Sequence, residues 1–211
     1  MYIAIEGVIG VGKTTLARLL QPFFDSEILL EVFEENPFLS DFYSDRERYA
    51  FQTQIFFLLS RYHQQRRAVT EILSTGKSLI SDYTFAKDSL FARINLKNDE
   101  LDMYYRVHEA LAEKITMPDL LVYLHASTDT LMQRIATRDR SYERNMDRGY
   151  IELLNQTYEE FFSKPYVSTP VLTLDTDPLD FVHYPKHLKI IENRVREALN
   201  LSPYQPLLMT K

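Results

Sequence analysis

The chain has 211 residues, 45% of them hydrophobic and 26% charged, with a formal net charge of −6 and no cysteine. Such a composition describes a globular protein with one full core, and it disfavours a nucleic-acid binder, which carries a basic excess. The missing thiols exclude disulfides and thiolate metal sites and fit a cytoplasmic setting, and no run nears the roughly 18 apolar residues of a membrane span.

The first apolar run, Tyr2–Glu6, predicts a strand, and its position leaves no room for a signal or transit peptide. A helix is expected over Lys13–Phe23, a second strand over Glu27–Glu31, and a long helix over about 45–74. A third strand follows at Ser78–Asp82, a helix at about 100–115, and a fourth strand at Leu120–His125. Helices are then expected at Asp129–Arg138 and Gly149–Ser163, a fifth strand at Val171–Asp175 and a last helix at Lys186–Leu199. Short apolar strands alternating with longer helices predict an α/β fold, a doubly wound five-stranded parallel sheet buried on both faces. No linker or repeat divides the chain, so residues 1–211 read as a single domain. The segment from Arg138 to Gly149 (RDRSYERNMDRG) is dense in charge and poor in aliphatics, as a mobile cover would be, and residues 202–211 read as a loosely held tail. Around Ile55–Leu59 the long helix is apolar on more than one face, which suits a central core helix or a homodimer contact.

The run from Gly7 to Thr15 (GVIGVGKTT) follows the pattern of a glycine, four residues, then Gly-Lys-Thr. Glycines let backbone N–H groups close round phosphate oxygens, and the following helix adds its own N–H groups and positive dipole end. Lys13 supplies a full charge for the β- and γ-phosphates, and the Thr14 hydroxyl suits Mg²⁺. The run stands between an expected strand and an expected helix, and three of the chain's five glycines lie in it. It therefore reads as a P-loop, with Gly7, Gly10, Val11, Gly12, Lys13, Thr14 and Thr15 as the ATP-binding set.

A P-loop alone does not separate kinases from GTPases or motor-like ATPases. The chain has neither the Asp-x-x-Gly switch nor the Asn/Thr-Lys-x-Asp guanine reader of a GTPase. Beyond the loop come Glu31–Leu39 (EVFEENPFL), Gln54–Arg61 (QIFFLLSR), Ser81-Asp82-Tyr83 with Lys87-Asp88 a turn later, and Arg134, Arg138 and Arg140 followed by Ser-Tyr-Glu143. Together, from residue 2 to about residue 175, these resemble the deoxynucleoside kinases (the deoxycytidine/deoxyguanosine kinase family), most of all the bacterial deoxyadenosine/deoxyguanosine members. The resemblance implies a P-loop kinase fold with a short arginine-rich lid at about 138–149. It implies transfer of the ATP γ-phosphate to a deoxynucleoside 5′-hydroxyl, with Mg²⁺ as cofactor.

The resemblance also distributes roles. Glu31 takes the place of the general base, with Glu34 and Glu35 as nearby competitors. Asp82, at the expected end of the third strand, suits Mg²⁺ as a hard oxygen ligand opposite Thr14, and could equally cap a helix. Gln54 and Asp88 are implied as base readers, with Arg61 on the Gln54 side of the helix able to orient Asp88. An ionised Asp88 only accepts hydrogen bonds, which favours an exocyclic amino group, repels the carbonyl oxygen of guanine or thymine, and argues for deoxyadenosine or deoxycytidine. Deoxyadenosine is the first expected substrate, with deoxycytidine and deoxyguanosine next. Tyr43 and Glu143 correspond to positions holding the sugar 3′-hydroxyl. Arg134, Arg138 and Arg140 would close over ATP, since a guanidinium fork suits phosphate, although a charged run can be a solvated face, as for Arg144 and Arg148. The family's better-known pattern places an arginine where this chain has Tyr83, so another cation must substitute. Another small P-loop kinase, such as a nucleoside-monophosphate kinase, and a non-catalytic NTP-sensing module are the alternatives. The expected partners are small molecules and a second copy of the chain, with no nucleic acid and no membrane.

Overall fold

A computed structural model of the chain describes residues 1–164 and 169–203. Most of the expected tail therefore lies outside the described residues. Five strands form one sheet: β1 (Tyr2–Gly7), β2 (Ser26–Leu29), β3 (Ser78–Ser81), β4 (Leu120–His125) and β5 (Val171–Asp175). Their order is β2-β3-β1-β4-β5 and every pairing is parallel, with Ile3 opposite both Ile80 and Leu120. Parallel strands need crossovers, and the helices that supply them cover both faces of the sheet. That is why all six β1 residues are buried, down to the acidic Glu6.

The helices are α1 (Lys13–Phe24), α2 (Leu39–Ser44), α3 (Arg46–Ser74), α4 (Lys87–Asn95), α5 (Asn98–Ala112), α6 (Thr128–Arg138), α7 (Arg148–Phe162) and α8 (Pro185–Ala198). Their starts follow local chemistry. Asp45, Ser127 and Asp147 each accept a hydrogen bond from a first-turn N–H of α3, α6 and α7, and Pro185 opens α8, where a missing N–H costs nothing. The α1 residues Leu16, Ala17, Leu20 and Phe24 make one buried stripe at helical spacing, joined in the core by Ile3, Ile5, Leu58 and Leu124.

All five expected strands and all six expected helices are present. The sequence expectation missed α2 and α4, both short, and two single 3-10 turns at Phe33–Glu35 and Ser141–Glu143. Two strand ends also need correction. β2 stops at Leu29 and β3 at Ser81, so Glu31 and Asp82 lie beyond their strands. The Glu31 N–H donates to Asp82 Oδ1 at 2.8 Å instead of continuing a ladder. Asp82 does not cap a helix, because α4 begins five residues later behind Ala86. No helix among the described residues is long and apolar enough to cross a membrane.

Because β1 has β3 on one side and β4 on the other, chain direction diverges at its carboxyl end. In open α/β sheets ligands bind in that crevice. The crevice is where the glycine-rich loop begins.

Candidate active site

The loop after β1 has the conformation that a phosphate cradle requires. At Gly10 φ is +86°, and a Cβ there would lie 3.0 Å from the Leu131 carbonyl oxygen and 2.8 Å from Ile135 Cγ1. A Cβ on Gly7 would stand 2.4 Å from the Leu124 carbonyl oxygen, so neither position admits a side chain. Lys13, the first residue of α1, turns back over the loop and donates to the carbonyls of Gly7 at 2.8 Å and Val8 at 3.1 Å. Burial pushes its ammonium down to about 8, nearby Lys87 adds to the effect, and Glu6, Glu31 and Asp82 oppose it. Thr14 Oγ1 donates to Asp82 Oδ2 at 2.5 Å. A hydroxyl and a carboxylate thus meet at the mouth of the cradle, the oxygen donor set that Mg²⁺ takes.

One cavity joins this cradle to an acceptor side. Its walls include Gly10, Lys13 and Thr14 from the loop, with Glu31, Asp82 and Lys87 above them. Gln54 and Arg61 come from α3, Tyr43 from α2, and Arg138, Arg140 and Glu143 from the segment after α6. Most of the expected site is therefore brought together. Gly7, Val11, Gly12 and Thr15 do not line this cavity, and neither does Asp88, which has no exposed surface. Arg134 also stands aside: it donates to the Val11 carbonyl at 3.2 Å and to Thr176, tying α6 to the cradle.

Glu31 is held by two cations. Arg61 donates to Oε1 through Nε at 3.1 Å and through Nη2, and Lys87 donates to Oε2 at 2.6 Å. Burial alone would raise the Glu31 carboxyl, but these partners outweigh it and hold the group well below the usual carboxylate range. It is ionised at any physiological pH. Arg61 also pairs through Nη1 with Asp88 Oδ1, so one guanidinium bridges the expected base and an expected reader. Arg61 does meet Asp88 as expected, and its second carboxylate was not foreseen. Two buried acceptors, Gln54 Oε1 and Asp88 Oδ2, have no hydrogen-bond partner among the described residues.

The charged segment after α6 closes one wall of the cavity. Arg138 Nη2 donates to Glu143 Oε2 at 2.5 Å, Arg140 stands 3.6 Å from Oε1, and Glu143 is buried. Tyr142 stacks on Tyr43 with ring centres 5.9 Å apart, and the Arg140 guanidinium lies 4.0 Å over the Phe33 ring. Burial raises the Tyr43 hydroxyl well above its ordinary value, so it stays protonated as a donor. Arg144 and Arg148 pair with Asp139 and Asp129 on the surface, as a solvated face would.

The sequence reading missed the site roles of Phe33, Phe57, Lys87, Phe91, Tyr142 and Glu6. The first five line the cavity. Glu6 lies under the cradle, where Oε1 accepts from the N–H of Thr84 at 2.6 Å and its hydroxyl at 2.8 Å, and burial raises its carboxyl. Lys87 had a signal, its place beside Asp88 one turn after Tyr83. The aromatics had none in a chain with 14 tyrosines and 13 phenylalanines.

The family model described as "Deoxynucleoside kinase" matches residues 3–200. The chain belongs to the deoxynucleoside kinase family. Its fold, glycine-rich loop and acceptor cavity are those of a transferase that phosphorylates deoxynucleosides. The kinase is 35% identical over 201 residues to a protein named deoxyguanosine kinase from Bacillus subtilis (strain 168), covering 94% of this chain and 97% of that one. It is 30% identical over 217 residues to a deoxyadenosine kinase from Lactobacillus acidophilus, covering 94% and 98%. Among solved structures, a deoxyadenosine kinase from M. mycoides with bound dATP superposes with a TM-score of 0.80 at 28% identity, over 93% of this chain and 99% of that one.

Proposed function

We propose that this kinase transfers the γ-phosphate of ATP to the 5′-hydroxyl of deoxyadenosine, in nucleotide salvage in the cytoplasm. The observation that carries the reading is the joint placement of the cradle, an ionised Glu31 and the unpartnered Gln54 acceptor around one cavity, with the unpartnered Asp88 Oδ2 buried on the residue that Arg61 pairs with Glu31. Glu31 takes the 5′-hydroxyl proton as that oxygen forms its bond to the γ-phosphorus. The bond from phosphorus to the β–γ bridging oxygen breaks, and the negative charge leaves on ADP. Lys13 holds the β- and γ-phosphates beside the loop N–H groups. Arg138 and Arg140 lean over the transferring group, where a guanidinium fork stabilises its equatorial oxygens. Thr14 and Asp82 would hold Mg²⁺, which neutralises charge on the phosphate oxygens when bound. Tyr43 and Glu143 hold the sugar 3′-hydroxyl.

An exocyclic amino group offers N–H donors to Gln54 Oε1 and Asp88 Oδ2, which an adenine edge satisfies together with the Gln54 amide as donor. Deoxyguanosine is the second reading, favoured by the relative from B. subtilis that carries that name at 35% identity. A nucleoside-monophosphate kinase would need a free cation for a phosphate on the acceptor, whereas Arg61 and Lys87 there are committed to carboxylates. We also propose a homodimer through α3 and α5, where Leu59 and Met103 are exposed.

Initial rates with ATP and Mg²⁺ against the four deoxynucleosides, their ribose counterparts and their monophosphates test the substrate reading. Deoxyadenosine should be fastest and the monophosphates inert as acceptors. A preference for thymidine, or turnover of monophosphates, would contradict it.

A further inference from the structure

Residue 83 raises a question of charge. Where the resemblance expects an arginine facing the phosphates, this chain has a tyrosine that turns away from the cavity. Tyr83 is fully buried among Tyr2, Leu29, Val69 and Leu79, and its hydroxyl donates to Gln64 Oε1 at 2.5 Å. The cation has to come from elsewhere.

Lys87 meets the requirement. It opens α4, four residues after Tyr83, and the Lys87 N–H donates to the Thr84 carbonyl at 3.3 Å, closing a turn that brings the side chain into the cavity. The side chain is 7% exposed, and a buried ammonium needs a partner. Its Nζ donates to Glu31 Oε2 at 2.6 Å and lies 5.6 Å from the centre of the Phe91 ring, whose face favours a cation. Arg61 divides its charge between Glu31 and Asp88, so Lys87 is what fixes the second oxygen of Glu31. The other charged groups around Glu31 are Lys13 at the start of α1 and Asp82 after β3. A triphosphate entering beside Glu31 would repel it, and the carboxylate keeps its place only while cations hold both oxygens.

We propose that Lys87 is the positioning residue that replaces the arginine absent at Tyr83, holding the Glu31 carboxylate over the cradle when the triphosphate is bound. It acts through Glu31 and has no separate contact with the transferring phosphate. The inference rests on Glu31 being the base. A lysine at the start of α4 restores the charge that the strand end lacks.

The test is a kinetic cycle of Lys87→Met, Glu31→Gln and the double variant, with Lys87→Arg and Lys87→Gln as companions. Lys87→Met should lower kcat about 100-fold, the cost of a misplaced catalytic group, with KM for ATP within about threefold of wild type. Lys87→Arg should recover most of that loss. In the Glu31→Gln background Lys87→Met should cost less than about threefold more, because groups acting as a unit are not additive. An equal loss in both backgrounds would mean that Lys87 acts on phosphate directly, and overturns the proposal. So does an unchanged kcat in Lys87→Met. Should the methionine variant fail to fold, Lys87→Gln keeps a donor without charge and is read by the same criteria. Near-normal turnover in Glu31→Gln alone would instead remove the base assignment, a separate failure from that of Lys87.

Discussion

Arg61→Met tests the ion cluster that joins Glu31 to Asp88. Arg61 is 4% exposed and its guanidinium joins Glu31 and Asp88. Methionine follows the aliphatic stem of the arginine, so the loss is mainly one of charge. Glu31 would keep Lys87 at 2.6 Å. The Asp88 side chain would keep no partner: it is 0% exposed, Oδ1 accepts from Arg61, and Oδ2 has no partner among the described residues. Removing one member of a buried pair costs about 3–5 kcal/mol, because the other charge stays desolvated. At about 2–4 °C per kcal/mol for a chain of this size, Tm should fall by about 6–20 °C. The penalty belongs to an uncompensated buried charge, so a neutral isostere at Asp88 should relieve it. Adding Asp88→Asn to Arg61→Met should recover part of the loss. The chain has no tryptophan, so urea unfolding is followed by far-UV circular dichroism. A loss below about 1 kcal/mol, or one that Asp88→Asn does not relieve, would refute the bridge as a stabilising unit.

Two further outcomes are expected. Lys13 is pushed down to about 8 in the unliganded site, and a bound triphosphate favours its charged form, so ATP binding above about pH 8 should take up protons. Calorimetry in buffers of different ionisation enthalpy measures the uptake; an enthalpy that does not depend on buffer would place the lysine elsewhere. Asp88→Asn exchanges an acceptor for a donor at the proposed base reader, so relative kcat/KM should move toward deoxyguanosine by about tenfold, on the scale of one hydrogen bond. An unchanged ranking of nucleosides removes Asp88 from base reading.

The features legible in the sequence were those carried by a local pattern. Buried strands appear as apolar runs such as Leu120–Leu124, and the cradle as spaced glycines ahead of Lys13, because each must satisfy its physics within a few residues. Helices α2 and α4 were missed because each is one to three turns long and is stabilised by what it packs on more than by its own periodicity. The strand ends before Glu31 and Asp82 were placed too late because those residues bond each other across the loops, a tertiary fact with no local signal. Lys87 was visible only as a neighbour of Asp88; its pairing with Glu31, 56 residues away, depends on the turn that starts α4. Likewise the aromatic wall of Phe33, Phe57, Phe91 and Tyr142 is assembled from four separate segments.

The central claim is that Glu31, fixed between Arg61 and Lys87, accepts the proton of the attacking hydroxyl. Rapid-quench single turnover of Glu31→Gln, loaded with ATP and saturating deoxyadenosine, tests it most directly. The transfer rate should fall at least about 100-fold, within the range for a lost general base, while ATP affinity stays near that of wild type. A rate within about threefold of wild type would contradict it.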